Sequence, residues 1–168
     1  MERGGNNSII VEEGVKLHNY KLDIRGVHNT IIIRKKCNIR GSIEMIGSNL
    51  TVEIGENTHI NGATINCREK SIYIGTDCLF SNEIKIRTFD VHKIFDKNTK
   101  EQINKAKNDI VIADRVWIGQ DVFIGKNSII HNDSIVGTKS FITKDMKESN
   151  VIIGGYNEIL KRDVYWEK

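Results

Sequence analysis

A histidine and an aspartate stand two residues apart in the run Arg-Thr-Phe-Asp-Val-His that spans residues 87–92. An imidazole whose unperturbed pKa is about 6.5 exchanges protons at neutral pH, so His92 is a candidate general base. A poor nucleophile such as a hydroxyl group needs such a base when it attacks a carbonyl carbon. Asp90 could orient the imidazole, although a spacing of two residues also suits a turn. Most lone histidines are ordinary surface-loop residues, so His92 is a candidate because of the motif around it and not by itself.

The elements that must position this pair follow from a hexapeptide repeat, which begins at residue 112. The repeated aliphatic positions are Ile112, Ile118, Ile124, Ile130, Val136 and Ile142. The residue that directly follows each aliphatic position is mostly small. The residue four positions after each aliphatic position is mostly small or β-branched. This spacing is not helical, and it predicts short strands joined by turns, three to a coil, with the aliphatic side chains inside. We expect glycine after the aliphatic residue to allow turn conformations that a Cβ would resist.

The same unit recurs upstream with longer turns. Equivalent aliphatic positions are Val11, Ile33, Ile54 and Ile74, and the spacing between them is wider than the three hexapeptides of a regular coil. One hexapeptide after these positions come, in the same order, Leu17, Ile39, Ile60 and Phe80. Cys37 and Cys78 take the small interior position, which predicts packed core thiols. The chain has three cysteines and no CxxC pair, so we expect no disulfide framework, no zinc finger and a reducing cytoplasm.

These patterns predict one all-β domain. Its parts are irregular long-turn coils over 8–86, an excursion loop over 87–109, regular hexapeptide coils over 110–147 and a C-terminal cap over 148–168. A long excursion from a regular solenoid is usually either functional or disordered. In the cap, residues 157–164 are predicted to form a short helix that covers the open end of the solenoid.

The repeats resemble those of the left-handed parallel β-helix acyltransferases over nearly the whole chain, most specifically over residues 74–155. Left-handed coiling is implied by this resemblance. The Asp-x-His excursion and the run Val-Trp-Ile-Gly at 116–119 are similar to the sugar O-acetyltransferases, especially those that modify capsular and sialic-acid-containing polysaccharides. The resemblance implies direct transfer of an acetyl group from acetyl-CoA to a sugar hydroxyl, with His92 as the base, Asp90 beside it and no metal.

The resemblance also implies a site for acetyl-CoA. Trp117 would line the cleft for acetyl-CoA and acceptor, although subunit packing would also explain an outward tryptophan. Gln120 and Thr138 should lie in one column, because three hexapeptide repeats separate them. The implied cofactor-binding residues are Trp117, Gly119, Gln120, Gly137, Thr138, Thr143, Lys144 and Lys161.

One part of the family pattern is missing. The last repeat is usually followed by Gly-x-Pro-Ala-Lys, whereas residues 154–158 read Gly-Gly-Tyr-Asn-Glu. Lys161 and Arg162 are therefore candidate substitutes as phosphate contacts, although cationic residues here would also suit the end of the predicted helix. The resemblance assigns no role to His131.

The resemblance implies a homotrimer whose active sites lie between subunits, with His92 and Trp117 contributed by different copies. A net charge of +3, with no basic cluster beyond residues 34–36, does not favour a nucleic-acid partner. No apolar run approaches the roughly 18 residues of a membrane span. The first seven residues lack the apolar core of a signal peptide. We therefore expect a cytoplasmic enzyme with a carbohydrate acceptor.

Other functions stay open. N-acetylation of a nucleotide-linked amino sugar also uses a histidine base, but the Asp-x-His excursion argues against it, and serine acetylation would need a helical N-terminal domain. A solenoid carbonic anhydrase needs three histidines on zinc. No two of the five histidines here are near neighbours in sequence: His18, His28, His59, His92 and His131. A non-catalytic solenoid would leave the excursion and Trp117 unexplained.

Overall fold

In the computed structural model, which describes residues 5–168, the chain folds into short strands that stack in parallel. Residues 1–4, with part of the N-terminal stretch considered above, lie outside it. The strands are β1 (Ser8–Val11), β2 (Lys16–Val27), β3 (Thr30–Ile33), β4 (Asn38–Ser48), β5 (Thr51–Ile54), β6 (His59–Cys67), β7 (Ile72–Ile74), β8 (Leu79–Phe80), β9 (Ile84–Arg87), β10 (Ile110–Ile112), β11 (Trp117–Ile118), β12 (Phe123–Ile124), β13 (Ile129–Ile130), β14 (Ile135–Val136), β15 (Phe141–Ile142), β16 (Ile152–Gly154) and β17 (Glu158–Lys161). None of the described residues belongs to a helix that could cross a membrane.

The strands build a solenoid with three faces. Face 1 is a parallel sheet in the order β1-β3-β5-β7-β10-β13. Face 2 contains β8, β11, β14 and β16, and face 3 contains β9, β12 and β15. The long strand β6 bends from face 2 to face 3, since its first residues pair with β8 and its later residues with β9.

Three corners, here called edges, join the faces, and each is defined by its turns in the regular coils. Edge A joins faces 2 and 3 and contains residues 119–121 and 137–139. Edge B joins faces 3 and 1 and contains residues 125–127 and 143–145. Edge C joins faces 1 and 2 and contains residues 113–115 and 131–133. The excursion leaves the solenoid at edge B, between β9 and β10.

The interior confirms the predicted repeat. Ile112 pairs with Ile130 and Ile118 with Val136, so one coil takes three hexapeptides. The six aliphatic positions of the regular coils and the small residues four positions later are buried. Cys37 and Cys78 are buried as predicted, and burial raises the pKa of Cys78 to about 11. Cys67, for which no position was predicted, is buried as well.

The glycine after the aliphatic residue serves a purpose other than the predicted one. The left-handed conformation belongs instead to one residue in five of the six corners named above, with φ between 54° and 67° at Arg115, Asp121, Asn127, Asp133 and Lys139. A Cβ on Gly119 would lie 2.7 Å from the backbone nitrogen of Thr138 in the next coil. The prediction of a turn glycine is therefore wrong, because close approach of neighbouring coils is what excludes a side chain here.

The C-terminal segment is a strand, so the predicted helix over 157–164 is also wrong. Strand β17 pairs antiparallel with β16 through a turn at Gly155, whose φ is +55°. The last strand of a sheet presents unpaired backbone groups, and β17 satisfies those of β16. Ile159 packs against the core from the same strand. The end of face 2 is covered as expected, but by a hairpin.

Residues 162–168 run back along edge C and contact several coils. The side-chain amide of Asn150 donates to the carbonyl of Val164 over 3.3 Å. The indole N–H of Trp166 donates to the carbonyl of Arg115 over 2.7 Å, and the ammonium of Lys168 donates to the carbonyl of Asn57 over 2.7 Å. This C-terminal tail therefore connects corner residues of coils that do not touch one another directly.

Candidate functional site

The carboxylate of Asp90 lies in a polar network at edge B. Its Oδ2 accepts a hydrogen bond of 2.9 Å from the side-chain amide of Asn104 and contacts the ammonium of Lys126. The Lys126 hydrogen bond lowers the pKa of Asp90 most, partial burial opposes it, and the Asn104 hydrogen bond adds to the lowering. In residues 5–168 no hydrogen bond joins this carboxylate to the imidazole of His92. Asp90 thus fixes the excursion to the solenoid and does not orient the imidazole directly.

Asn104 holds the backbone around His92. Its side-chain N–H groups donate to Asp90 and to the carbonyl of His92, the latter over 2.8 Å. Its side-chain oxygen accepts from the backbone N–H of Ile94 over 2.8 Å. The imidazole itself is exposed and makes no hydrogen bond within the described chain. The histidine is therefore fixed at its backbone and free at its ring.

A cavity of about 420 Å³ adjoins this network on face 3. Asp90 and Lys126 form part of its wall, and Thr143 lies on the same wall. Its aromatic floor is a stack in which the ring centroids of Phe123 and Phe141 are 4.5 Å apart and those of Phe141 and Tyr156 are 5.6 Å apart. The cavity combines an apolar surface with charged groups, which is typical of a ligand site.

Four of the predicted cofactor residues lie on edge A. The carbonyl of Gln120 accepts a hydrogen bond of 2.9 Å from the N–H of Lys139, so Gln120 and Thr138 occupy neighbouring coils of one column. Gly119, which is buried, and the half-buried Gly137 precede them, while Gln120 and Thr138 themselves are exposed. Small residues of this kind allow a long, thin ligand to lie close to backbone groups.

Thr143 and Lys144 lie on edge B, together with the excursion that carries His92. The backbone N–H of Thr143 donates to the side-chain oxygen of Asn157 over 2.8 Å, and the Asn157 amide donates to the Thr143 hydroxyl over 3.0 Å. Lys161 lies apart from both edges, on β17. One chain therefore does not bring the predicted site residues together, since they divide between edge A and edge B.

Trp117 points outward on face 2, between Leu79 and Ile135 of the neighbouring coils. Its indole is 40% exposed and lies 6.2 Å, centroid to centroid, from the indole of Trp166. The C-terminal tail thus covers part of Trp117. The tryptophan therefore lies on face 2, between edges C and A, whereas the excursion that carries His92 leaves the solenoid at edge B.

This chain is similar in fold and in sequence to known proteins. No family model matches the chain. The crystal structure of the polySia-specific acetyltransferase NeuO superposes with a TM-score of 0.92 at 33% identity, over 98% of this chain and 70% of that one. The chain belongs to the hexapeptide-repeat acetyltransferase family that includes the polysialic acid O-acetyltransferases. This membership confirms the predicted family and the predicted left-handed parallel β-helix.

Two relatives in this acetyltransferase family extend beyond the chain. The polysialic acid O-acetyltransferase of Escherichia coli O1:K1 / APEC is 34% identical over 137 residues, which are 81% of this chain and 44% of the relative. That of Neisseria meningitidis is 30% identical over 124 residues, which are 73% of this chain and 57% of the relative. The chain thus spans about half the length of these relatives.

The sequence did not predict the two residues that hold the excursion in place, Asn104 and Lys126. Asn104 lies in the polar stretch after His92, and Lys126 occupies a corner of the regular repeat, where a lysine is most often solvated. Neither carries a periodic signal. The aromatic stack did carry one, since Phe123 and Phe141 are three hexapeptides apart in the outward position beside an interior aliphatic residue.

His131, which had no assigned role, pairs with Asp145. Its Nε2 lies 2.8 Å from Asp145 Oδ1, and the ammonium of Lys147 lies 2.6 Å from Oδ2. Burial alone would raise the pKa of Asp145, but the hydrogen bonds from Lys147 and then His131 lower it to about 2. The pair connects the last coil to the coil beneath it. Residues 5–168 contain no group of three His, Cys, Asp or Glu side chains that could hold a metal ion.

Proposed function

We propose that this chain is an acetyl-CoA-dependent O-acetyltransferase that modifies a sugar hydroxyl of a surface or capsular polysaccharide or of its precursor. The observation that carries the proposal is the free imidazole of His92 on a braced excursion, beside a cavity, in a family whose relatives are named polysialic acid O-acetyltransferases. The reducing cytoplasm, where acetyl-CoA is made and the three thiols stay free, is the proposed location.

His92 would act as the general base of a direct transfer. Its imidazole takes the proton of the acceptor hydroxyl as the hydroxyl oxygen attacks the thioester carbonyl. When the carbon–sulfur bond breaks, the imidazolium returns that proton to the departing thiolate. The products are an acetyl ester on the sugar and CoA with a free thiol, so the enzyme ends each cycle unchanged. Asp90 contributes through Lys126 and Asn104, which keep the excursion in place.

The residues proposed to hold acetyl-CoA suit its chemistry. Gln120 and Thr138 are exposed on edge A, where they would contact an extended pantetheine arm beside the small Gly119 and Gly137, and Trp117 supplies an apolar wall. Thr143 could donate a hydrogen bond from its hydroxyl. Lys144 and Lys161 are exposed ammonium groups, which can pair with phosphates as point charges.

The division of these residues between two edges supports sites shared between subunits. Edge A of one copy would have to face edge B of the next before Trp117 and His92 could meet at one ligand. In a closed ring, every copy makes the same head-to-tail contact, so each interface completes one site. We propose a homotrimer of this kind, with Trp117, Gln120 and Thr138 from one subunit and His92 from its neighbour.

Thiol release from acetyl-CoA tests the proposed activity. We expect release in the presence of polysialic acid, and a loss of about 100-fold or more in kcat for His92→Ala, because general-base catalysis typically contributes that much. A His28→Ala variant is the matched control, since His28 follows β2 on the first coil, away from the proposed transfer site. An acetyl product that hydroxylamine cleaves is an ester. An acetyl product that resists it would be an amide and would favour N-acetylation instead.

Complementation tests the shared site. Co-expression of His92→Ala with Trp117→Ala in equal amounts should restore about a quarter of the wild-type sites, because random assembly puts the two intact residues at one interface in that fraction of cases. If the mixture stays as inactive as either variant alone, the site lies within one chain. Release of no thiol by the wild-type protein with any oligosaccharide or nucleotide sugar would contradict the enzymatic proposal as a whole.

A further inference from the structure

The tip of the excursion, residues 93–103, is a short β-hairpin. The N–H of Ile103 donates to the carbonyl of Ile94 over 2.9 Å, and Phe95 pairs with Gln102 in an antiparallel bridge. Within the described chain, the hydrogen bonds of residues 93–103 stay inside the excursion and do not reach the solenoid. The hairpin is therefore an ordered element that does not need the solenoid for its own backbone pairing.

Large apolar side chains are exposed on and beside this hairpin. Val91, Ile94, Phe95 and Ile103 are each exposed over more than half of their surface. Because successive side chains alternate, the pairing of Phe95 with Gln102 leaves Ile94 and Ile103 side by side on one face of the hairpin and Phe95 on the other. A cluster of exposed apolar groups on a folded protein indicates an interaction surface.

The same segment carries a concentrated positive charge. Residues 91–108 contain five lysines against one aspartate and one glutamate, so their formal net charge is +3. The whole chain also has a net charge of +3, so the charges of all the other residues cancel. The ammonium groups of the five lysines are exposed, and within residues 5–168 none of them forms an ion pair. These lysines are Lys93, Lys97, Lys100, Lys105 and Lys107.

An anionic membrane surface matches both properties of the hairpin. Its headgroups attract lysines, and the boundary beneath the headgroups accepts aromatic and aliphatic side chains. A membrane also covers both faces of a hairpin that enters it, whereas the surface of a second protein covers one. The backbone groups of the hairpin are already paired with one another, which lowers the cost of removing them from water.

A second copy of the chain is a poorer match. Outside residues 91–108 it has no net charge that would attract the lysines, and its own hairpin would repel them. Contact between copies would also leave either Phe95 or the pair of Ile94 and Ile103 in water, since these side chains lie on opposite faces. Charge and the placement of the apolar groups therefore both favour a lipid surface.

We propose that the hairpin of residues 93–103 docks onto an anionic membrane surface, with its apolar side chains in the headgroup layer and the lysines against the lipid phosphates. This interaction goes beyond the proposed function and does not depend on His92 acting as a base. The docking places the proposed reaction close to the membrane, because at about 3.3 Å per residue the turn at Asn98 lies within about 20 Å of His92.

Cosedimentation with lipid vesicles tests the docking. The probes are vesicles of phosphatidylcholine alone and vesicles with about one third phosphatidylglycerol, at low salt, where screening is weak. Wild-type protein should bind the anionic vesicles and bind the neutral ones much more weakly. One variant carries Ile94→Ser and Phe95→Ser, and another carries Lys93→Gln, Lys97→Gln and Lys100→Gln. Each should bind the anionic vesicles about tenfold or more weakly, because apolar burial or headgroup attraction is lost.

Matched controls remove the same kinds of group from outside the excursion. Ile10→Ser with Tyr165→Ser replaces one exposed aliphatic and one exposed aromatic side chain. Lys16→Gln, Lys21→Gln and Lys85→Gln together remove three exposed lysines that form no ion pair within the described chain. Both controls should bind the anionic vesicles as wild type does. All the variants should keep the wild-type unfolding temperature, since the replaced side chains are exposed.

Three results would overturn the proposal. They are wild-type protein that does not distinguish anionic from neutral vesicles, an equal loss of binding in the two lysine variants, and full binding by Ile94→Ser with Phe95→Ser. If the wild-type protein binds no vesicles and this apolar variant has a smaller oligomeric state, the hairpin is a contact between copies instead.

Thiol release from acetyl-CoA separates this proposal from the proposed function. Vesicle binding that depends on the hairpin, without any thiol release, would keep the docking and remove the activity. Thiol release by a wild-type protein that binds no vesicles would keep the activity and remove the docking.

Discussion

The side-chain amide of Asn104 donates a hydrogen bond of 2.8 Å to the backbone carbonyl of His92. The same side chain accepts from the N–H of Ile94, so one residue fixes the main chain on both sides of Lys93. The carbonyl of Asn104 in turn accepts from the ammonium of Lys126, which belongs to the solenoid. A loop that would otherwise move freely at its tip is therefore tied to a rigid element at the histidine.

Replacement of Asn104 by alanine should reduce kcat about 10- to 100-fold, because a displaced catalytic group loses its alignment with the reacting atoms. The KM for acetyl-CoA should stay near its wild-type value, since edge A is untouched. The dependence of kcat on pH should keep its shape, because the base is still a histidine. Steady-state kinetics over a range of pH measures all three.

Asn108→Ala is the control for this variant, since Asn108 lies on the same excursion and its side chain makes no hydrogen bond within residues 5–168. An Asn104→Ala protein with wild-type kcat would show that the contact to His92 has no part in catalysis.

Replacement of Asp145 by asparagine should lower the free energy of unfolding at pH 7 by about 2 kcal/mol. The folded-state pKa of Asp145, about 2, lies below its ordinary value of 3.8. The ionised carboxylate therefore stabilises the fold above about pH 4, and this contribution disappears as the pH falls through about 2. Urea unfolding of both proteins from pH 7 to pH 2 should show a difference that narrows on acidification.

Asp163→Asn offers a matched comparison, because Asp163 is exposed near the same end of the solenoid and forms no ion pair within the described chain. A stability difference between wild type and Asp145→Asn that stays constant with pH would mean that the contact acts through packing and not through charge.

Replacement of Gly119 by alanine should destabilise the fold by about 1–3 kcal/mol, because the new methyl group would overlap the backbone of the next coil. A Cβ at this position lies 2.7 Å from the nitrogen of Thr138, and a backbone atom cannot rotate away as a side chain can. Thermal unfolding followed by circular dichroism measures the change.

Gly5→Ala is the natural control, since a Cβ at Gly5 meets no atom within 4 Å. Equal unfolding temperatures for wild type and Gly119→Ala would show that the coils separate easily enough to admit the methyl group.

The scaffold could be predicted from sequence because burial imposes its period on the residues. Ile118 and Val136 are interior on successive coils, and any polar residue there would cost an unsatisfied buried group. The same reasoning failed at residues 157–164, where local composition favoured a helix but the unpaired edge of β16 determined the structure.

The network at edge B could not be predicted in the same way. Asn104 and Lys126 are far apart in sequence, and they meet because the excursion folds back onto a corner. Exposed polar contacts carry no period in the sequence, because they form only when the chain folds.

The C-terminal tail changes how the solenoid should come apart. In a stacked repeat protein each coil contacts only its neighbours, so one end can fray while the other stays folded. Here Trp166 and Lys168 connect Arg115 directly to the level of Asn57, across coils that would otherwise communicate only in series. The tail thus makes the loss of the C-terminal coils and the loosening of the central ones a single cooperative event.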